Sequence, residues 1–268
     1  MLLPGTAQTN LDAPLASFAE NGFARLGLVM DPEMLAQLRE RADATMLAET
    51  NDLHLFFQHD PGSGRYEDLE YGQGWRGPSL AYRKIEKLER DSVFRSWIEN
   101  DLFARVARAT IGEEVTVYRA VLWNKAAAGG TKLPWHQDDG PFWGLDRPPC
   151  LQIWTALDDA PVEAGCLEVL PGSHRRGLAT ADGGTVPDEL TLASCSKDAT
   201  MLLPAKAGES ILLHNHTWHR SGHNKTPQPR RALSISFLSG DTRCTRKRRA
   251  PREFTQVFKH GPQGAMTS

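Results

Sequence analysis

Residues 208–219 read Gly208-Glu209-Ser210-Ile211-Leu212-Leu213-His214-Asn215-His216-Thr217-Trp218-His219. A turn signal, Ala207-Gly208, opens a short β-rich run, and the run ends in a crowd of histidines. The same texture recurs on both sides. Residues 232–238 (ALSISFL) lie downstream; 167–170 (LEVL), 151–154 (LQIW) and 115–118 (VTVY) lie upstream. Turn formers separate them: Ala128-Gly129-Gly130, Pro148-Pro149, Pro171-Gly172 and Gly183-Gly184. Several short runs punctuated in this way predict a mainly β sandwich or barrel. They do not alternate with long helices, which disfavours a doubly wound parallel sheet.

The first third has a different texture. Residues 15–21 suggest a helical turn stopped by Gly22, and 23–29 (FARLGLV) suggest a strand. Asp31-Pro32 then supplies an N-cap oxygen and a residue tolerated at the first helical position. Met34, Leu35, Leu38, Ala42 and Met46 follow at near-helical spacing, and Val93, Phe94, Trp97, Ile98, Leu102, Phe103, Val106 and Ala107 mark a second helical region. Residues 50–80, rich in Gly, Pro and rings, show no period and read as loop. The expectation is one domain over 1–268: a helical part to about 112, a β core over 113–240 and an extension over 241–268.

Composition narrows the class of function. The chain has 268 residues, 40% of them hydrophobic, enough for a core without staples. A formal net charge of −2 argues against a general nucleic-acid binder. Cys150, Cys166, Cys195 and Cys244 form no C-x-x-C pair, so neither a zinc ribbon nor a disulfide framework is expected. There is no signal-peptide pattern and no apolar run of membrane-spanning length, so a cytoplasmic protein without a membrane partner is expected. The basic run from Arg243 to Arg249 reads as a solvated face before it reads as a nucleic-acid patch.

The chemistry starts at Trp135-His136-Gln137-Asp138-Asp139-Gly140. In an extended segment, residues two apart face the same side, so His136 and Asp138 can reach one ion. A distal histidine from the 208–219 run or just beyond it would complete two imidazoles and one carboxylate. That set marks non-haem iron(II) oxygenases, with zinc as competitor. Spacing alone leaves His214, His216, His219 and His223 available. Arg230 and Arg231, at the entry to the next β run, could clamp the carboxylate of an acid cosubstrate.

Several pieces of this sequence together resemble the phytanoyl-CoA dioxygenase family, which includes ectoine hydroxylase. They are Glu20-Asn21-Gly22-Phe23, Trp135-His136-Gln137-Asp138, Ile153 to Asp159 (IWTALDD), Gly165 to His174 (GCLEVLPGSH), His219 to Asn224 (HRSGHN) and Arg230-Arg231-Ala232. The resemblance implies a double-stranded β-helix (jelly-roll) core with N-terminal helices packed against it, and iron(II), 2-oxoglutarate and O2 as cofactor and cosubstrates. It implies His136, Asp138 and His219 as metal ligands, Arg230 as the anchor of the 2-oxoglutarate carboxylate and Ser221 as a helper hydroxyl there. Asn124 and Trp154 match pocket-wall positions more loosely, and Lys84 more loosely still. Related halogenases lack the carboxylate at the Asp138 position. Its presence therefore implies hydroxylation, or desaturation and similar oxidation, of a small-molecule substrate.

Other residues weigh less. His214 and His216 suit strand packing better than ligation, and His174 suits a structural turn around Gly172. Asp139 stands evenly between substrate contact and solvated neighbour, and His59-Asp60 has no partner segment. The stretch from Asn51 to Leu80, with His54, Phe56, Phe57, Tyr66, Tyr71 and Trp75, is expected to cover the pocket together with Phe142 and Trp143. A zinc-dependent hydrolase and a non-catalytic jelly-roll protein that binds a small acid are the alternatives. The substrate and the oligomeric state stay open.

Overall fold

The computed structural model describes residues 2–3, 9–70, 74–247 and 251–259. Tyr71, Arg248 and Arg249, named above, lie outside the described residues. In chain order the elements are α1 (Asp12–Asn21), β1 (Phe23–Leu28), α2 (Pro32–Met46), β2 (Phe56–His59), β3 (Tyr82–Glu86), α3 (Ser92–Ile98), α4 (Asp101–Thr110), β4 (Val115–Lys125), β5 (Leu133–His136), β6 (Leu151–Ala156), β7 (Leu167–Val169), α5 (Asp188–Ser194), β8 (Met201–Leu203), β9 (Glu209–Leu213), β10 (His219–Ser221), β11 (Arg230–Ser239) and β12 (Thr255–Phe258).

The strands form two antiparallel sheets. The larger has the order β1-β9-β6-β11-β4-β3-β2, with β12 also paired to β4; the smaller has the order β5-β10-β7-β8. The fold is mainly β, a jelly roll with the helices laid on one outer face. Period two explains how the large sheet serves both layers. Leu122, Ile153, Leu212, Leu233, Ile235 and Phe237 point outward and join Leu38, Phe94, Trp97, Leu102 and Phe103 of the helices in one buried cluster. Their neighbours Trp154, Ala156, Ile211, Leu213 and Ala232 point inward and pack on Leu167, Val169 and Leu203 of the small sheet. Burial of such side chains contributes roughly 1.5–3 kcal/mol each, so both faces are firmly specified.

Local signals explain the helix ends. Asp31 caps α2 by accepting the Met34 N–H at 2.7 Å. Gly22 ends α1 at φ 79°, its N–H bonded to Phe18 O, and a Cβ there would lie 2.3 Å from Thr217 Oγ1. The single helical region expected over 93–107 is two helices. Asn100 adopts extended backbone and accepts the Phe103 N–H at 2.9 Å, restarting the helix while the apolar stripe continues on the same core.

The largest departure lies in the first third, which is helical only in part. Beyond the expected strand β1, at one edge of the large sheet, it adds β3 and β2 to the other. β2 and β3 fall within and beside the stretch read as loop; they are short, and Gln58, Arg83 and Lys84 break the apolar pattern that would mark them. Likewise, residues 255–258 of the expected extension are a strand. All four cysteines are free. Among the described residues, no helix is long and apolar enough to cross a membrane.

Candidate metal centre and cosubstrate pocket

The two sheets bring His136 and His219 together because β5 and β10 pair with these residues directly opposite each other. Their ring centroids are 4.1 Å apart. One ligand atom each from His136, Asp138 and His219 lies within 4.8 Å of the others, the only such cluster of possible metal ligands among the described residues. Each imidazole is oriented by its other nitrogen: His136 Nδ1 is 2.8 Å from Pro134 O, and His219 Nδ1 is 2.9 Å from Thr217 O. Donation to a carbonyl from Nδ1 leaves Nε2 unprotonated and free to bind a cation. Burial, then the neighbouring His136, lowers the His219 pKa to about 4, which keeps that ring neutral.

Asp138 sits two residues past His136, beyond the end of β5, and a turn rather than the strand itself presents it. Its N–H donates to Asn215 O at 2.8 Å, and Asn215 Nδ2 donates back to Asp138 O at 3.0 Å. Between the ligands, Gln137 points away and ties down Gly177 O and His216 O. Arg119 Nη2 donates to Asp138 Oδ1 at 3.1 Å, and Gln152 Nε2 donates to Oδ2 at 2.8 Å. Ser234 and Ser236 hydroxyls donate to Gln152 Oε1, which fixes the amide so that its NH2 faces the carboxylate. Burial pushes the Asp138 carboxyl up, but Arg119, His219, His136 and the Gln152 bond outweigh it and hold the pKa at about 2.

A cavity beside the ligands is lined by Trp154, Ser221, Asn124 and Arg230, together with His136, Asp138 and His219. Arg230 is 3% exposed, and its Nη2 donates to Gly165 O at 2.7 Å. Its Nε, also buried, has no partner among the described residues. Burial lowers the Arg230 pKa to about 10, still charged at neutral pH. A buried guanidinium with an unmet donor is a place for a carboxylate. The same cavity holds Lys125, whose pKa is pulled well below the usual lysine range by burial and by Arg230. Gly165 matters here for its close approach: its φ is 68°, and a Cβ would lie 2.3 Å from Gly222 O. Any larger residue would displace the carbonyl that holds Arg230. Two imidazoles, a carboxylate and this cationic end fit an iron(II) ion with a chelating dicarboxylate.

Not every expected residue takes its expected place. Arg231, which alternates with Arg230, points outward to Asp158 and Asp43. Asn124 lines the cavity, but its Nδ2 donates to Leu80 O and Tyr82 O, tying β4 to the start of β3. Lys84 does not lie with Arg230. It lines a second cavity with Gln58, Tyr66, Arg119, Phe142 and Trp143, where its Nζ is 2.6 Å from Glu86 Oε1. The displacement follows from strand register, since Lys84 pairs with Trp123, one residue before the Asn124 position. Of the expected cover, Tyr66, Phe142 and Trp143 line that second cavity, whereas Phe57 is in the core.

His174, His214, His216 and His223 stay away from the His136, Asp138 and His219 cluster. His216 Nε2 is 2.8 Å from Asp139 Oδ2, His214 packs on Phe18 and His174, and His223 Nδ1 is 2.9 Å from Gly130 O. Asp139 is thus committed to His216. Arg246 of the basic run donates to Phe142 O at 2.9 Å. Arg119, Gln152, Lys125 and Arg83 were not singled out from the sequence. Reading strand β4 to its full length would have placed Arg119, Trp123 and Lys125 on one face.

A family model described as phytanoyl-CoA dioxygenase (PhyH) matches residues 18–232. A phytanoyl-CoA dioxygenase of Arabidopsis thaliana is 26% identical over 203 residues, covering 72% of this chain and 70% of that protein. Among solved structures, EctD from S. alaskensis with 2-oxoglutarate and 5-hydroxyectoine has a TM-score of 0.71 at 23% identity, covering 93% of this chain and 84% of that one. The epimerase SnoN in complex with Fe3+, alpha ketoglutarate and nogalamycin RO has a TM-score of 0.69 at 18% identity, covering 92% and 98%. At these identities the two structures bear on the fold, and the family match bears on ancestry. The chain belongs to the phytanoyl-CoA dioxygenase (PhyH) family.

Proposed function

We propose that this chain hydroxylates an unactivated C–H bond of a small-molecule metabolite, using iron(II) held by His136, Asp138 and His219, with 2-oxoglutarate and O2 as cosubstrates. The observation that carries the reading is the meeting of the ligand cluster and the buried Arg230, with its unmet Nε, in one cavity. Bound iron with 2-oxoglutarate supplies oxidative decarboxylation: O2 and the keto acid become succinate and CO2, and the substrate C–H becomes C–OH.

The chain's own residues do the rest. Arg230 would hold the far carboxylate of 2-oxoglutarate, with Ser221 and Lys125 lining the same cavity. Arg119 and Gln152 keep Asp138 ionised and aimed, which matters because a reoriented carboxylate would change the ligand set. Substrate is taken to enter through the second cavity, which shares His136 and Asp138 as a wall with the first. Trp123, Phe142 and Trp143 there exclude water from the reacting carbon.

The zinc-hydrolase alternative lacks support at one point. Zinc hydrolases commonly deprotonate the metal-activated water with a carboxylate or imidazole facing the metal. Among the described residues lining both cavities, the only carboxylate is Asp138 and the only imidazoles are His136 and His219. All three are spent as ligands. A small-acid binder would have no use for that ligand cluster.

The test is succinate release by the iron(II)-loaded protein across a metabolite panel, with product mass read in parallel. A product one oxygen heavier, carrying label from 18O2, is the expected result. An unchanged mass would mean epimerisation, and a loss of two hydrogens would mean desaturation or ring closure; either replaces hydroxylation. Asp138→Ala should fold and lose all succinate release. If Asp138→Ala keeps wild-type function, the binder reading replaces the enzyme.

A further inference from the structure

The second cavity is cationic as well as aromatic. Arg83, Lys84 and Arg119 line it, and the one carboxylate lining it among the described residues, Asp138, is turned to His136 and His219. Glu86, just behind Lys84, serves two cations at once: Lys84 Nζ at 2.6 Å and Arg119 Nη1 at 3.7 Å. The cations are also held by rings. Arg83 and Lys84 lie 5.3 and 5.5 Å from the centroid of the Trp123 ring, and Arg119 lies 4.6 Å from that of Trp143.

Lys84 has one anionic neighbour, Glu86, and two cationic ones, Arg119 and Arg83. Its side chain is 14% exposed, and an ammonium has three N–H donors. Glu86 attracts it, whereas Arg119 and Arg83 both repel it; burial and these guanidinia lower its pKa from the usual lysine value. An incoming anion would relieve the crowding. Beyond the charges, the walls are Trp123, Leu133, Pro134, Phe142 and Trp143.

We infer that the substrate is a monocarboxylate with an aromatic or otherwise apolar body, its carboxylate held by Lys84 with Arg83 and its body against Trp123 and Trp143. The inference rests on the reading of this cavity as the substrate's entrance. A carboxylate suits the cluster better than a phosphate monoester. Arg83, Lys84 and Arg119 against Glu86 and Asp138 leave one net positive charge (3 − 2), and a phosphate brings nearly two negative ones. Anchoring at Lys84 also separates this acid from 2-oxoglutarate, whose carboxylate would lie on the Arg230 side of the metal ligands.

The test compares 3-indolepropionate with 3-indolepropionamide, and phenyl phosphate as a third arm. Each is titrated calorimetrically into full-length protein saturated with iron(II) and 2-oxoglutarate under anaerobic conditions. The acid is expected to bind at least tenfold more tightly than the amide and than phenyl phosphate. Lys84→Met should erase that preference while 2-oxoglutarate affinity stays at the wild-type value. The double variant Lys84→Met/Glu86→Gln removes the pair without leaving a lone buried carboxylate, and should behave the same way if the single variant misfolds. No acid-over-amide preference in the wild type, lack of binding by either included, overturns the inference; so does a preference that survives in the double variant. A preference for phenyl phosphate overturns the carboxylate assignment. Loss of 2-oxoglutarate binding in the wild type would instead strike the proposed function, so the two failures read differently.

Discussion

The two faces of the large sheet carry different loads on the same strands. On the outer face, Leu122, Ile153, Leu233, Ile235 and Phe237 are fully buried under the helices and contain no polar side-chain atom. On the inner face, alternate residues of the same strands are Arg119, Trp123, Lys125, Gln152, Ser234 and Arg230. One residue's shift in register would exchange the two sets, sending charges into the core. The outer face therefore fixes where the inner one points. Stability should respond to changes on the first face, and cosubstrate handling to changes on the second.

The widest separation is expected for Arg230→Leu. It keeps an apolar stem but removes the buried charge, so the KM for 2-oxoglutarate should rise roughly a hundredfold with the melting temperature little changed. Steady-state kinetics with varied 2-oxoglutarate would show it. An unchanged KM would move the anchor elsewhere. Leu233→Ala, on the same strand but facing the helices, should cost about 3 kcal/mol of stability through its cavity. Denaturant unfolding would read that loss, while KM values per folded molecule should stay put. Asn100→Ala should have the smallest effect, about 1 kcal/mol from the lost cap of α4, with kinetics unaffected. A kinetic change in either of the last two would blur the division between the faces.

The same alternation decides what the sequence could disclose. Strands β6, β9 and β11 were legible because strong apolar residues bracket them with turn formers on both sides. The cluster of His136, Asp138 and His219 was legible because family motifs at residues 135–138 and 219–224 stand around it. β10 was not: its three residues, His219, Arg220 and Ser221, carry chemistry and lack an apolar signature. β2 and β3 hid for a related reason, with Gln58, Arg83 and Lys84 among their residues. Arg119 and Gln152 act on Asp138 across 19 and 14 residues of sequence, and that contact exists only once β4 and β6 flank β11. Lys84 shows the limit of a loose match. Only a loose family match suggested it for the cosubstrate; paired with Trp123, it lines the other cavity.

The most direct test of the central claim is an anaerobic titration of the metal-free protein with iron(II) and then 2-oxoglutarate, followed by visible absorption. A charge-transfer band should grow to one equivalent of each in the wild type, stay absent in His219→Ala, and need far more 2-oxoglutarate in Arg230→Leu. A wild type that gives no band, or a His219→Ala variant that gives the full one, would contradict the site described here.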